Sequence, residues 1–96
     1  MSNLSPIHPG EVLLHDFLEP LKLSQRQVAQ AIGIPPNRIN SIVKGTRGVT
    51  GDTALRLGKY FNTSANLWIN LQAEYDLDKA SLERGKEIDK IQPMAL

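Results

Sequence analysis

The chain has 96 residues, 41% of them hydrophobic, with no cysteine and a formal net charge of +1. That length holds one small hydrophobic core and excludes a second, and the lack of cysteine excludes a disulfide scaffold or a thiolate zinc site. Apolar runs fall far short of the ~20 residues that span a bilayer, and no basic start leads into an apolar stretch, so a soluble cytoplasmic chain with no membrane partner is expected.

Helical periodicity recurs throughout, and strand-like alternation is missing. The first helix is predicted over 8–20, with Pro9 in its first turn, an apolar stripe of Gly10, Leu13, Leu14, Phe17, Leu18 and Leu21, and Pro20 as its stop. A second opens at Ser24, which forms a capping box with Gln27; it buries Val28, Ala29 and Ile32 and stops at Gly33. The third runs from Pro36 to Lys44, turns Ile39, Ile42 and Val43 inward and stops at Gly45. After a loop, Thr50 or Asp52 caps a fourth helix whose inner face carries Ala54, Leu57, Gly58 and Phe61. Ser64 caps a fifth that reaches about Asp76, and the charged stretch 78–91, interrupted by Gly85, reads as a weak helix or frayed tail. The expected architecture is all-α and compact, with an N-terminal arm at 1–7, a five-helix domain at 8–77 and a C-terminal helix or tail at 78–96.

The near-neutral total hides an asymmetry. Residues 1–19 carry Glu11, Asp16 and Glu19 with no base, a balance of −3. Residues 20–60 set seven Lys and Arg against Asp52 alone, a balance of +6, and residues 61–96 return to −2. A basic middle between acidic ends is an electrostatic footprint for a polyanion, although clustered solvated charges give the same arithmetic.

The spacing inside that basic segment is more specific. Ala29 allows a close helix crossing, Gly33 suits a sharp turn, and Val28, Ile32, Ile34, Ile39 and Ile42 fall where two crossing helices bury them. This is a helix-turn-helix pattern over about 24–44. At about 100° per residue, the third helix turns Asn37, Ser41 and Lys44 outward, with Arg38 and Asn40 on its flanks. None is acidic. Asn37, Arg38 and Ser41 are the candidates for base edges, since Asn pairs with adenine, Arg with guanine and Ser with either. Gln25, at the start of the second helix, and Lys44, Thr46 and Arg47, after the third, are the candidates for backbone phosphates.

The sequence resembles the HigA family of bacterial antitoxins, helix-turn-helix repressors related to those of phages. The resemblance covers roughly residues 6–80. It rests on His8-Pro-Gly-Glu11, Phe17-Leu-Glu-Pro20, Leu23-Ser-Gln25, Ile34-Pro-Pro-Asn-Arg-Ile-Asn40, Asp52-Thr-Ala-Leu-Arg-Leu57, Trp68, Leu71-Gln72 and Tyr75-Asp-Leu77. It implies a lambda-repressor-like fold and a dimer that represses its own operon on double-stranded operator DNA. It also implies a toxin partner similar to HigB, a RelE-like mRNA endonuclease. Separately, the fifth helix is apolar on two sides: Leu67, Trp68, Leu71 and Tyr75 on one, Ile69, Ala73 and Leu77 on the other. One side is therefore expected to meet a second copy, with Trp68, Leu71 and Tyr75 as candidates, unless the tail folds back over it.

Enzymatic readings fail on spacing. His8, Glu11 and His15 match no H-E-x-x-H zinc pattern, and both histidines are expected at the surface. Ser41-Ile-Val-Lys44 lacks the companion motifs of S-x-x-K enzymes, and the Gly45–Gly51 loop lacks a Gly-Lys-Ser/Thr. No enzyme and no cofactor are expected. A stand-alone repressor without a toxin, and a protein-interaction module on the same scaffold, are the alternatives to an antitoxin.

Overall fold

The computed structural model describes residues 5–95, which form five helices and, among those residues, no strand. We number them α1 (9–21), α2 (Gln25–Ile32), α3 (Pro36–Lys44), α4 (Gly51–Phe61) and α5 (Ala65–Asp89). Residues 1–4 of the expected N-terminal arm lie outside the described residues.

α1 is not a uniform helix. Its middle, Leu13–Leu18, is wound as a π-helix between the α-helical turns Pro9–Val12 and Glu19–Leu21. The Glu19 N–H accordingly reaches back five residues, to the Leu14 carbonyl. Pro20 accounts for the widening, because it has no N–H to donate and its ring would strike the carbonyl four residues earlier. Pro20 is thus accommodated and does not end the helix; Lys22 ends it, in the left-handed conformation at φ 57°. The wide turn brings Leu13 and Leu18, five apart, into the core and leaves Leu21, expected in the stripe, 56% exposed.

α1 packs on α3 through Gly10. A Cβ there would stand 1.8 Å from the Ile42 carbonyl oxygen, so only a hydrogen lets the two backbones meet. The core that this contact closes contains Leu13, Leu18, Val28, Ala29, Ile32, Ile34, Ile39, Ile42, Val49, Ala54, Leu57 and Trp68. Each fully buried aliphatic side chain in it stabilises the fold by about 1.5–3 kcal/mol. All five apolar positions of the helix-turn-helix pattern are in that set.

Thr50, not Asp52, caps α4: its Oγ1 accepts from the Thr53 N–H, while Asp52 pairs with Arg56 at 2.9 Å. Ser64 caps α5 as expected, but the helix continues past Asp76 to Asp89, with one non-helical residue at Arg84. Its first half packs on α4; Trp68 lies tilted against Phe17 of α1 at 5.1 Å and donates its Nε1–H to Thr63 Oγ1 at 3.1 Å. Beyond Tyr75 every side chain except Gly85 is exposed up to Ala95, and the molecule is drawn out to 51 Å in one direction.

Two expectations are corrected here. Trp68 is fully buried in its own chain's core, so it cannot meet a second copy. His8 is no surface histidine: it is 5% exposed and caps α1. Its Nδ1 accepts from the Gly10 N–H at 2.9 Å, and the Glu11 carboxylate accepts from the His8 N–H at 3.1 Å. The ring also sits edge-on to Tyr75 of α5, with centroids 4.7 Å apart.

Candidate nucleic-acid interface

The corner between α2 and α3 is fixed by local chemistry. Ser24 Oγ accepts from the Gln27 N–H at 3.0 Å, and the Gln27 Oε1 accepts from the Ser24 N–H at 2.7 Å, closing the capping box. Gly33 takes φ 76°, open to glycine at no steric cost, and its N–H and that of Ile34 both reach the Ala29 carbonyl. Arg56 of α4 braces the turn, donating Nη1–H to the Ile32 carbonyl at 2.7 Å. That contact was not legible in the sequence, where Arg56 counted toward the basic footprint and the family resemblance but had no assigned partner. Pro36 opens α3 and Gly45, at φ 83°, closes it.

The outward face of α3 contains no acid. Asn37 and Lys44 are exposed, and Ser41 is half-buried with its hydroxyl donating to the Asn37 carbonyl at 2.9 Å. Ser41 Oγ thereby keeps its lone pairs for an outside donor. One flank of α3 faces α2, where Asn40 Nδ2 donates to Gln25 Oε1 at 3.2 Å. With its oxygen so used, Gln25 has its –NH2 left to donate beside the start of α2, where helix N–H groups favour an anion. Arg38, on the opposite flank, is half-buried and its Nε is shut off from solvent without a partner.

The loop after α3 is tied down twice. The Ser41 carbonyl accepts from the Thr46 N–H at 3.0 Å, the Thr46 hydroxyl at 3.2 Å and the Arg47 N–H at 3.2 Å. Thr46, expected to reach a phosphate, has therefore spent its hydroxyl proton closing the end of α3. Arg47 remains exposed. Further on, the buried Val49 donates its N–H to Gln72 Oε1 of α5 at 2.7 Å. Gln72 is a supporting residue that sequence reasoning missed; the available signal was a polar residue on the inward stripe between Trp68 and Tyr75. His8 lies under the same loop, its ring within 3.7–3.8 Å of where a Cβ on Gly45 would stand.

Burial lowers the pKa of His8, against the opposing pull of Glu11, Asp76 and the Arg47 backbone. The exposed His15 shifts upward through its hydrogen bond with Glu19.

Against known proteins, the helix-turn-helix family matches residues 14–68. Virulence-associated protein I of Dichelobacter nodosus is 43% identical over 98% of this chain and 86% of its own length. Antitoxin HigA-1 of Vibrio cholerae is 32% identical over 75% of this chain and 68% of its own. Among solved structures, the Pseudomonas aeruginosa antitoxin HigA with the higBA promoter superposes with a TM-score of 0.89 at 44% identity, covering 94% of this chain and 99% of that one.

Proposed function

The chain belongs to the HigA family of helix-turn-helix proteins, which bind DNA and are not enzymes, and from that premise we propose that it represses its own operon as a dimer and neutralises a HigB-like toxin. The observation that carries the DNA half is the acid-free outer face of α3, held rigidly by the Ser24–Gln27 box, the Gly33 turn and the Arg56 brace. Asn37 and Ser41 would meet base edges in the major groove; Gln25, Lys44 and Arg47 would meet backbone phosphates on either side. The P. aeruginosa relative, described with the higBA promoter, supports the operator as target.

Residues 8–77 form the DNA-binding unit in this reading, with 78–96 appended to it. A two-fold dimer would space its two α3 helices about 34 Å apart over a palindromic site. With Trp68 in the core, the pairing surface falls to the exposed side of α5, around Ile69, Ala73 and Leu77. Leu71 and Tyr75 are half-buried against the chain's own body and contribute at most an edge. Among the described residues, no helix is long and apolar enough to cross a membrane.

Titration of the protein against its own upstream DNA and a scrambled duplex, across a salt series, tests the repressor half. Discrimination of ~10³ or more with a steep salt dependence is expected. Equal weak binding to both duplexes would reject it. Co-expression with the neighbouring reading frame tests the other half: a small basic protein that co-purifies and arrests growth alone is expected, and its absence leaves a stand-alone repressor.

A further inference from the structure

A cleft of about 250 Å³ lies beside α3, lined by Arg38, Arg47, Gly48, Thr50, Asp52 and Thr53. We infer that this cleft seats a DNA backbone phosphate between Arg38 and Arg47, so that Arg38 positions α3 on the duplex instead of reading a base. The inference rests on the DNA-binding reading above and changes the role of one residue in it.

Three observations lead there. First, Arg38 sits about 100° from its neighbour Ile39, which is fully buried, and its flank is the one that does not face α2. Asn40 occupies the α2 side and is already bound to Gln25. The guanidinium of Arg38 therefore lies along the α4 side of the helix, beside Arg47, while Asn37, Ser41 and Lys44 face the groove.

Second, among the described residues no carboxylate holds Arg38. Asp52 is the one acid in the cleft, and its Oδ2 accepts from Arg56 Nε at 2.9 Å. The Arg38 Nε–H is left buried and unmet, a state that is unfavourable until an acceptor arrives. To hold a phosphate the guanidinium would turn toward the cleft, so that Nε and one terminal N–H meet two of its oxygens in the bidentate geometry that arginine favours.

Third, the arginines are the cationic donors of the cleft, and its threonine side chains are engaged with one another. Thr50 Oγ1 is taken up in capping α4 and contacts Thr53 Oγ1 at 3.4 Å. The α4 dipole adds to the attraction for an anion without creating the site. With Gln25 on the far flank, phosphate contacts would bracket α3 on both sides and leave Asn37 and Ser41 to carry sequence preference.

The roles separate in a titration of Arg38→Ala, Arg47→Ala and the double variant against the operator and a panel of its single-base substitutions, across salt. A phosphate clamp predicts that Arg38→Ala weakens every duplex by the same factor and flattens the plot of log K against log salt, and that the double variant, which releases the one shared phosphate, flattens it by about 1 for each half-site bound. Ethylation interference adds a readout that a folding defect does not imitate: of the phosphates that interfere with wild type, one in each half-site should interfere less with Arg38→Ala while the others are unchanged. Loss of preference at a single base pair with the salt slope unchanged would make Arg38 a base reader and overturn the inference. So would an ethylation pattern identical to wild type. If wild type itself fails to distinguish operator from scrambled DNA at any salt, the repressor reading falls, and the clamp with it.

Discussion

The two halves of α5 have similar helical geometry and opposite consequences. From Ser64 to Asp76 the helix is capped, buries Trp68, holds the Val49 N–H through Gln72 and presses Tyr75 against His8. From Lys79 to Asp89 it touches little, carries the non-helical Arg84 and leaves Leu82 and Ile88 in solvent. The first half reaches the surface proposed to face DNA without belonging to it. Gln72 secures the loop that carries Arg47, and Tyr75 backs the histidine that caps α1, which in turn meets α3 at Gly10. Position along one helix thus separates residues that support recognition from residues free to serve other contacts.

Substitutions along α5 should grade accordingly. Trp68→Ala removes the aromatic centre shared with Phe17 and Phe61 and should cost about 3–5 kcal/mol, measured by urea unfolding. Gln72→Ala strands the Val49 N–H and should cost about 1–3 kcal/mol. It should also weaken operator binding and flatten its salt dependence, since the loop it loosens carries Arg47. An unaltered affinity would mean that the loop holds its shape without α5.

A smaller effect is expected from pH. His8 has a folded-state pKa below its ordinary 6.5, chiefly through burial, and its Nδ1 accepts the Gly10 N–H, which a proton there would forbid. Below about pH 6.5 the unfolded chain therefore binds the proton more readily. The stability that neutral His8 supplies is complete above that pH and is lost as pH falls toward the folded value. The charges acting on the ring are Glu11, Asp76 and Lys79. His8→Asn keeps a capping acceptor and should flatten this acid limb of the stability curve. At the small end, Leu82→Ser in the distal half should change stability by no more than about 0.5 kcal/mol, because its side chain is already 62% exposed.

Much of this was legible in the sequence because it is local. Ser24 and Gln27, the glycines after α2 and α3, and the five apolar positions between residues 28 and 42 act through bonds a few residues long, or through a periodicity that fixes one face of a helix. The outward set of α3 follows from the same rotation, which is why Asn37, Ser41 and Lys44 could be named before any packing was known. Local rules also mislead where a neighbour intervenes. Pro20 reads as a stop, yet a π turn absorbs it, and the apolar two-sidedness of α5 does not tell which side is core.

Tertiary structure decided the remainder. Whether Trp68 faces its own chain or another, whether His8 lies in water or beneath a loop, and which flank of α3 receives Arg38 all depend on elements distant in sequence. The sequence determined where five helices lie, the caps at Ser24 and Ser64 and the face of α3 offered outward. Packing determined how those faces meet, because burial and the pairing of a polar group such as the Val49 N–H are properties of the assembled neighbours and not of the residue alone.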